Sequence, residues 1–466
     1  MAKAIVKNLG IAKSDGVRDL TVGSPYSVIL SFAIPFFISQ LFQQLYNIAD
    51  SLIVGRYLGT NALAAVSTSG TLIFMLISFF EGAAMGGSVV ISRYFGAKDF
   101  DRVSKAIHTT LCIAAIATVL LTVIGVGFTP VFLRWMNTDP DVMPEAVSYF
   151  RVYFAGAVSL VFYNVCRGIM VAVGDSKLPL VYLIISSITN IILDIIFVGI
   201  IGWGVWSAAF ATVIAQSISA VLCIIHLIKP DRVYTVKLNK LHMDKEMLVD
   251  IIKYGMPSGV QNSVIAFANT IVLSQINSFG KFASAAFGSH AKIEGFVFIP
   301  IMAFNMAITT FISQNLGAKN YDRAKKGARF SLIVTPLLAE LFGIIYYFFS
   351  PTFIGLFDKT PEVITLGVTQ AHIIPLFYCL LALSHSVAAI CRGAGKAFVP
   401  MFVMLSVWCV IRVSYIFLVM HFFGEITYVY WAYPLTWGIS TIVYLLYYNL
   451  SDWVHGFEGK AKKNLD

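Results

Sequence analysis

The sequence predicts an all-α membrane protein, with twelve transmembrane helices arranged as two six-helix lobes. Three observations predict it. Of the 466 residues, 58% are hydrophobic and only 12% are charged, with a mean hydropathy of +0.80; soluble domains carry about 25% charged residues. Apolar runs of roughly 20 residues, long enough to cross a bilayer as helices, recur along the whole chain. One polar segment is also written twice. Arg93-Tyr94-Phe95-Gly96-Ala97-Lys98 and Gln314-Asn315-Leu316-Gly317-Ala318-Lys319 lie 221 residues apart, and each is followed by an Asp-Arg pair.

The spans begin near Val28, Ala62, Ile107, Ala146, Leu178 and Gly204, and then near Met247, Ser284, Ala328, Val363, Phe398 and Thr427. Stretches such as Ile113 to Val126 do not alternate apolar and polar residues, which excludes barrel strands. Further echoes are Cys166-Arg167-Gly168 with Cys391-Arg392-Gly393, and Pro179 with Pro400. The duplication sets the expected boundaries: an N-terminal segment 1–23, an N-lobe 24–228, a linker 229–245, a C-lobe 246–452 and a tail 453–466. Six spans per half is an even number, so the halves are parallel repeats related by an axis along the membrane normal.

The net charge is +9, and its placement points to a membrane rather than to nucleic acid. Lys and Arg cluster in the N-terminal segment, after spans two and eight, in the linker and in the tail. With twelve spans all of these fall on one side, while the opposite loops carry Asp139, Asp141, Glu145, Asp358 and Glu362. This is the positive-inside pattern, which places the chain in the cell membrane with both termini cytoplasmic. The six cysteines lie in or at the ends of apolar spans without a CxxC pair, so no disulfide is expected. More than twenty mixed polar residues precede the first span, unlike a secretory signal.

No catalytic motif of the HExxH or GxSxG kind is present. Gly393-Ala394-Gly395-Lys396 resembles part of a phosphate loop but has Ile390 and Ala397 where glycine and a hydroxyl residue would stand. An enzyme and an ATP-driven pump are therefore not expected, nor is any cofactor. The informative residues are polar groups inside spans, each costing several kcal/mol to bury. Span one holds Asp50, span five holds Asn190 and Asp194 on one helix face, and span six holds Thr212. At 1.5 Å per residue, these lie roughly 8–12 Å from the outer ends of their helices. Two carboxylates, an amide and a hydroxyl at one depth can bind a hard cation or share a proton. A 221-residue offset places Ile411 and Tyr415 opposite Asn190 and Asp194, so this set belongs to one lobe, which favours function over architecture. The C-lobe has its own polar set of His290, Lys292, Glu294, His385 and Arg412. Arg412 needs an anionic partner and Glu294 is the best available. The two are expected to face the lobe interior, directly paired or bridged by water, as either a structural pair or, with His385 and Lys292, a second coupling group. Glu81 in span two is either cavity lining or a packed polar contact.

These residues resemble the multidrug and toxic compound extrusion (MATE) transporters over nearly the whole chain. The resemblance rests on Pro35, Asp50 within Leu45-Tyr46-Asn47-Ile48-Ala49-Asp50-Ser51-Leu52-Ile53-Val54-Gly55, the Gly96-Ala97-Lys98 turn, and Asn190 with Asp194. It implies a V-shaped cavity between the lobes and a cation site formed by Asp50, Asn190, Asp194 and Thr212, which would be the metal ligands if the ion is Na+. It further implies Tyr149 beside that site and Pro35 as the place where span one bends. The NorM-like branch has a Glu in span seven and an Asp in span ten. Here Gln261, Asn262, His372 and His385 stand in those spans, and the pattern is similar to the DinF/MepA-like bacterial branch. The implied activity is secondary antiport of H+ or Na+ for small, cationic or amphipathic organic compounds, by a monomer among membrane lipids and without nucleic acid. The alternative is a lipid or lipid-linked oligosaccharide flippase of the same superfamily, against which the scarcity of mid-span cations argues.

Overall fold

The computed structural model describes residues 18–136, 138–230, 234–237, 239 and 241–458. The expected N-terminal segment up to residue 17, the tail from residue 459, and positions 231–233, 238 and 240 of the linker lie outside the described residues. Helices and turns, and no strands, make up the described residues. In the first half α1 (Pro25–Leu58), α2 (Thr60–Gly96) and α3 (Phe100–Gly127) are followed by the short α4 (Thr129–Trp135). Then come α5 (Met143–Ala155), α6 (Ala157–Ala172), α7 (Lys177–Asp194, continued by a π-helical turn to Ile201) and α8 (Trp206–Ile228). The second half contains α9 (Lys245–Asn277), α10 (Lys281–Gly317), α11 (Tyr321–Gly355), α12 (Pro361–Ala371) and α13 (Tyr378–Gly393). It ends with α14 (Phe398–Val403), a π-helical stretch Met404–Ile411, α15 (Arg412–Phe422) and α16 (Ile426–Leu450).

Grouped by their breaks, these are the twelve expected spans. Eight are long and apolar enough to cross a bilayer alone, and the pair α5–α6 makes a ninth, bent by 50°. That bend falls at Gly156, where a Cβ would lie 2.2 Å from a Val213 methyl. The other three, α2, α9 and α16, have the length at 37, 33 and 25 residues. α16 is rich in Tyr and Trp. α2 and α9 pack on each other through two small-residue motifs, Gly82-x-x-x-Gly86 and Gly255-x-x-x-Gly259. A Cβ on Gly82 would lie 2.4 Å from the Gly259 nitrogen, and one on Gly86 would lie 2.3 Å from the Ile251 oxygen. Such backbone contact is how membrane helices gain packing without a hydrophobic driving force.

The apolar core has three main parts and a small satellite at Ala286, Ile354 and Val363. One is built on the first six spans and takes in Met247, Ile251 and Tyr254 of α9, and one lies within the second six, from Val272 to Tyr444. The third joins the halves: Leu20, Val28, Phe32 and Phe36 pack against Phe304, Ile308, Phe311 and Leu316 of α10. This seam sits at the face that carries both described chain ends, here called the terminal face. Leu20 N–H donates to Gln314 Oε1 (3.1 Å), and its carbonyl accepts from Asn315 Nδ2 (3.2 Å) and Arg323 Nη2 (3.1 Å). Lys98 pairs with Asp19, and Arg18 N–H donates to Gly174 O (3.2 Å). At the other chain end Arg93 Nη2 donates to Phe457 O (3.3 Å), and Tyr321 donates to Glu458 (2.5 Å). The duplicated turns even share a left-handed lysine, Lys98 at φ 60° and Lys319 at φ 57°.

Candidate functional site

Asp50 is buried on α1, and Asp194 is the last regular residue of α7, fully enclosed. The π-helical turn begins directly after Asp194; such wide turns cluster at functional sites. The two carboxyls come within hydrogen-bonding reach of each other, a contact that closes only when one carries a proton. Deprotonated, both are acceptors, so Asp50 Oδ1 and both Asp194 oxygens have no partner. Tyr46, Tyr149 and Tyr153 surround the pair, each interacting electrostatically with Asp50. Tyr149 stacks on Tyr153 at 6.3 Å.

One helical turn from Asp194, Asn190 Nδ2 donates to Thr212 Oγ1 (3.3 Å), whose hydroxyl donates to Ala208 O (3.1 Å). That bond fixes the amide and leaves Asn190 Oδ1 buried and unpartnered. The structure thus brings Asp50, Asn190, Asp194, Thr212 and Tyr149 into one region, which offers hard oxygen donors and, among the described residues, no Lys or Arg ion-paired to either carboxyl. A cavity of ≈ 30 Å³ continues from Asn190 and Thr212 between Gln43, Tyr46, Tyr163, Asn164, Ser186, Ser187 and Gln216, enough for about two waters. Sequence reasoning missed these lining residues. Their signal is a polar ladder, Tyr182, Ser186, Asn190 and Asp194, with steps of four along α7.

Pro35 lies inside α1, buried, and its carbonyl accepts from Ser39 Oγ (2.8 Å). Without an N–H it leaves the helix one bond short at that turn.

The C-lobe set is arranged differently from expectation. Arg412 is fully buried and donates from Nε (3.1 Å) and Nη2 (2.8 Å) to Thr436 Oγ1. Its guanidinium lies between the rings of Trp408 (4.8 Å) and Tyr433 (4.7 Å). Glu294 interacts with it electrostatically, but among the described residues the two form no ion pair. Of the two expected arrangements the direct pair is not the one found among the described residues; the direct contacts of the guanidinium are aromatic faces and a hydroxyl. His385 joins this group through Trp408, ring to ring at 5.5 Å, with Nε2 unpartnered. Lys292 does not join it: it is exposed and sits over Phe357 at 5.3 Å. Two residues along a helix is about 200° of rotation, so Lys292 and Glu294 face opposite ways. His290 bonds Tyr346 Oη at 2.9 Å. Glu81 interacts electrostatically with Arg167 without ion-pair contact among the described residues.

The MatE family model matches this chain twice, over residues 35–196 and 257–418. The matches begin and end 222 residues apart, close to the 221-residue spacing of the repeated turns. Each lobe ties its fifth span to its sixth through a threonine, Asn190 to Thr212 and Arg412 to Thr436. Only the second lobe carries its own cation there. The probable multidrug resistance protein YoeA of Bacillus subtilis is 29% identical over 428 residues, covering 90% of this chain and 92% of that protein. A MOP superfamily transporter of Pyrococcus furiosus, described as having a binding pocket of reverse polarity, superposes with a TM-score of 0.90 at 24% identity, over 96% of this chain and 100% of that one. An outward-facing multidrug resistance MATE transporter superposes at 0.87 and 24%, over 94% and 98%. On the duplicated match and the shared fold, this chain belongs to the MatE family.

Proposed function

We propose that the protein exports small organic compounds, cationic or amphipathic, by antiport against an inward proton or sodium ion. The observation that carries this reading is the Asp50–Asp194 pair: two buried carboxyls in contact, with no ion pair to a cationic side chain among the described residues. Two such groups cannot both stay charged in a low-dielectric interior without a bound cation or proton. Occupancy of the pair then alters the energy of the lobe, and a ligand moves a conformational equilibrium only through such differential binding. Asn190 and Thr212 orient the bound ion, Tyr149 closes the site, and Pro35 lets α1 bend in response. The terminal face holds the Lys98, Arg102, Lys319 and Arg323 turns, so the positive-inside rule makes it cytoplasmic, with both termini inside and the cell membrane as location. The multidrug resistance relatives support organic cargo, and a monomer suffices because the site lies within one lobe. No group in the site performs covalent chemistry on this reading.

The test uses purified protein in proteoliposomes with pH and sodium gradients applied separately. Gradient-driven export of a lipophilic cation is expected from the wild type and loss of at least tenfold from Asp50→Asn and from Asp194→Asn, with the double variant no worse because both act at one site. Full transport by Asp50→Asn would refute the reading.

A further inference from the structure

We propose that the α7–α8 interface is a hydrated proton lane joining the Asp50–Asp194 pair to the cytoplasmic face, with Tyr182, His226 and Asp175 as its inner mouth. The proposal rests on the antiport reading and deepens it, since it assigns the coupling ion and its exit.

Two polar ladders face each other along the lane. On α7 they are Tyr182, Ser186, Asn190 and Asp194, spaced four apart; on α8 they are Thr212, Gln216, Ser219, Cys223 and His226, spaced four, three, four and three. Both spacings keep the residues on one helix face. The helices run antiparallel, and the ladders touch along their length. Asn190 bonds Thr212 at 3.3 Å, Ser219 Oγ donates to Tyr182 O at 2.9 Å, and Tyr182 Oη lies 3.5 Å from His226 Nδ1. From Asp194 to Tyr182 is twelve residues, or about 18 Å, the depth of more than half a bilayer's apolar core.

The middle of the lane has room for water. The ≈ 30 Å³ cavity lies there, bordered by Ser186, Ser187, Asn190, Thr212 and Gln216. Ser187 Oγ and Asn190 Oδ1 are buried without partners on its wall. A polar cavity of this size with unpartnered atoms is where buried water resides. At the inner end His226 is 2% exposed, and its Nε2 lies 3.7 Å from Asp175 Oδ2. Asp175 belongs to the α6–α7 turn and accepts from the N–H groups of Lys177 (3.2 Å) and Leu178 (3.1 Å). Asp175 from the turn and Tyr182 from α7 face His226, and Asp175 in turn interacts electrostatically with Cys223 of α8, which also feels Arg167 of α6.

The proton is conserved through the step. A carboxyl O–H of the pair breaks, leaving its electrons on the carboxylate, and the proton adds to a cavity water. It passes by exchange of O–H bonds to the Tyr182 hydroxyl and onto His226. His226 releases it toward Asp175 and the cytoplasm. Nothing but the proton moves, and no other reactant is needed.

The experiment compares two transport modes of the full-length protein in proteoliposomes, with ethidium as cargo. One mode is export driven by a pH gradient; the other is ethidium-for-ethidium exchange at equal pH, which requires no proton release. His226→Gln and, at mid-lane, Ser219→Val should each slow the driven mode at least tenfold and leave exchange within about twofold. A packing role would depress both modes in equal proportion, and that result overturns the proposal. So do unchanged driven rates in both variants. If the wild type responds to a sodium gradient and not to pH, the lane is refuted while antiport stands. If it moves ethidium in neither mode, the antiport reading and the lane fall together.

Discussion

Gly96 and Gly317 lie back to back across the two lobes. A Cβ on Gly96 would come 1.9 Å from the Gln314 carbonyl oxygen, and one on Gly317 would come 1.9 Å from the Arg93 carbonyl oxygen. The segment written twice in the sequence therefore meets its own copy, and α2 and α10 close the terminal face with no side chain between them. Either Gly96→Ala or Gly317→Ala must separate the helices. Spin labels at Asp99 and Asn320 should report a longer distance in each variant, and transport should fall about tenfold. An unchanged distance would mean that the contact does not hold the face shut.

The buried guanidinium of Arg412 depends on Thr436 more than on Glu294. Thr436→Val removes the acceptor of both hydrogen bonds and should cost about 2–3 kcal/mol, the range for a buried charged donor left unmade. Glu294→Gln removes no direct contact and should change the thermal midpoint by a smaller amount. Thermal unfolding of the two variants side by side checks the order; the reverse order would make Glu294 the main partner of the guanidinium.

Asp19 makes the terminal-face strap sensitive to strong acid only. Burial alone would push its carboxyl up, but the Lys98 ammonium and the Thr21 hydroxyl and N–H hold it below its ordinary value. A carboxyl depressed in the folded state stabilises fully above its unfolded value of about 3.9 and loses that contribution as pH falls through the folded one. The strap should stay pinned throughout pH 5–8 and loosen only below about pH 4. Both side chains are partly exposed, at 50% and 29%, so Asp19→Asn should cost less than about 1 kcal/mol and less still in high salt. Mobility of a spin label at Thr21, followed against pH and salt, is the measurement.

Single cysteines replacing Lys98 and Lys319 in a cysteine-free background should resist impermeant thiol reagents in intact cells and react once the cells are opened. Labelling of either from outside would invert the orientation assigned to the terminal face.

The twelve spans and their duplication were legible because both are one-dimensional signals, an apolar period and a repeated string. The carboxylate site was legible for a related reason: Asp50 and Asp194 are costly enough in a membrane that their presence demands an explanation. What stayed hidden depends on rotation about helix axes. Lys292 and Glu294 are close in sequence yet face apart, and the Arg412–Thr436 bond joins residues 24 apart. The π-helical turns after Asp194 and before Arg412 shift every later side chain by a fraction of a turn, which a regular period does not anticipate. The small-residue motifs at Gly82 and Gly255 were visible as strings, but their meeting across the lobes appears only once the helices are paired.

The strap of residues 18–23 is held almost wholly by its main chain. The carbonyls of Leu20, Val22 and Gly23 all accept from Arg323, and the Leu20 amide meets Gln314. Every residue except proline presents the same amide and carbonyl, so the strap's grip depends on its own spelling mainly through the enclosed Leu20 side chain, the Asp19 carboxylate and the Arg18 guanidinium, which donates to Ser31. The information for the clasp resides 294 to 303 positions away, in Gln314, Asn315 and Arg323. Alteration of those three should propagate to the N-terminus, whereas Val22 is free to drift.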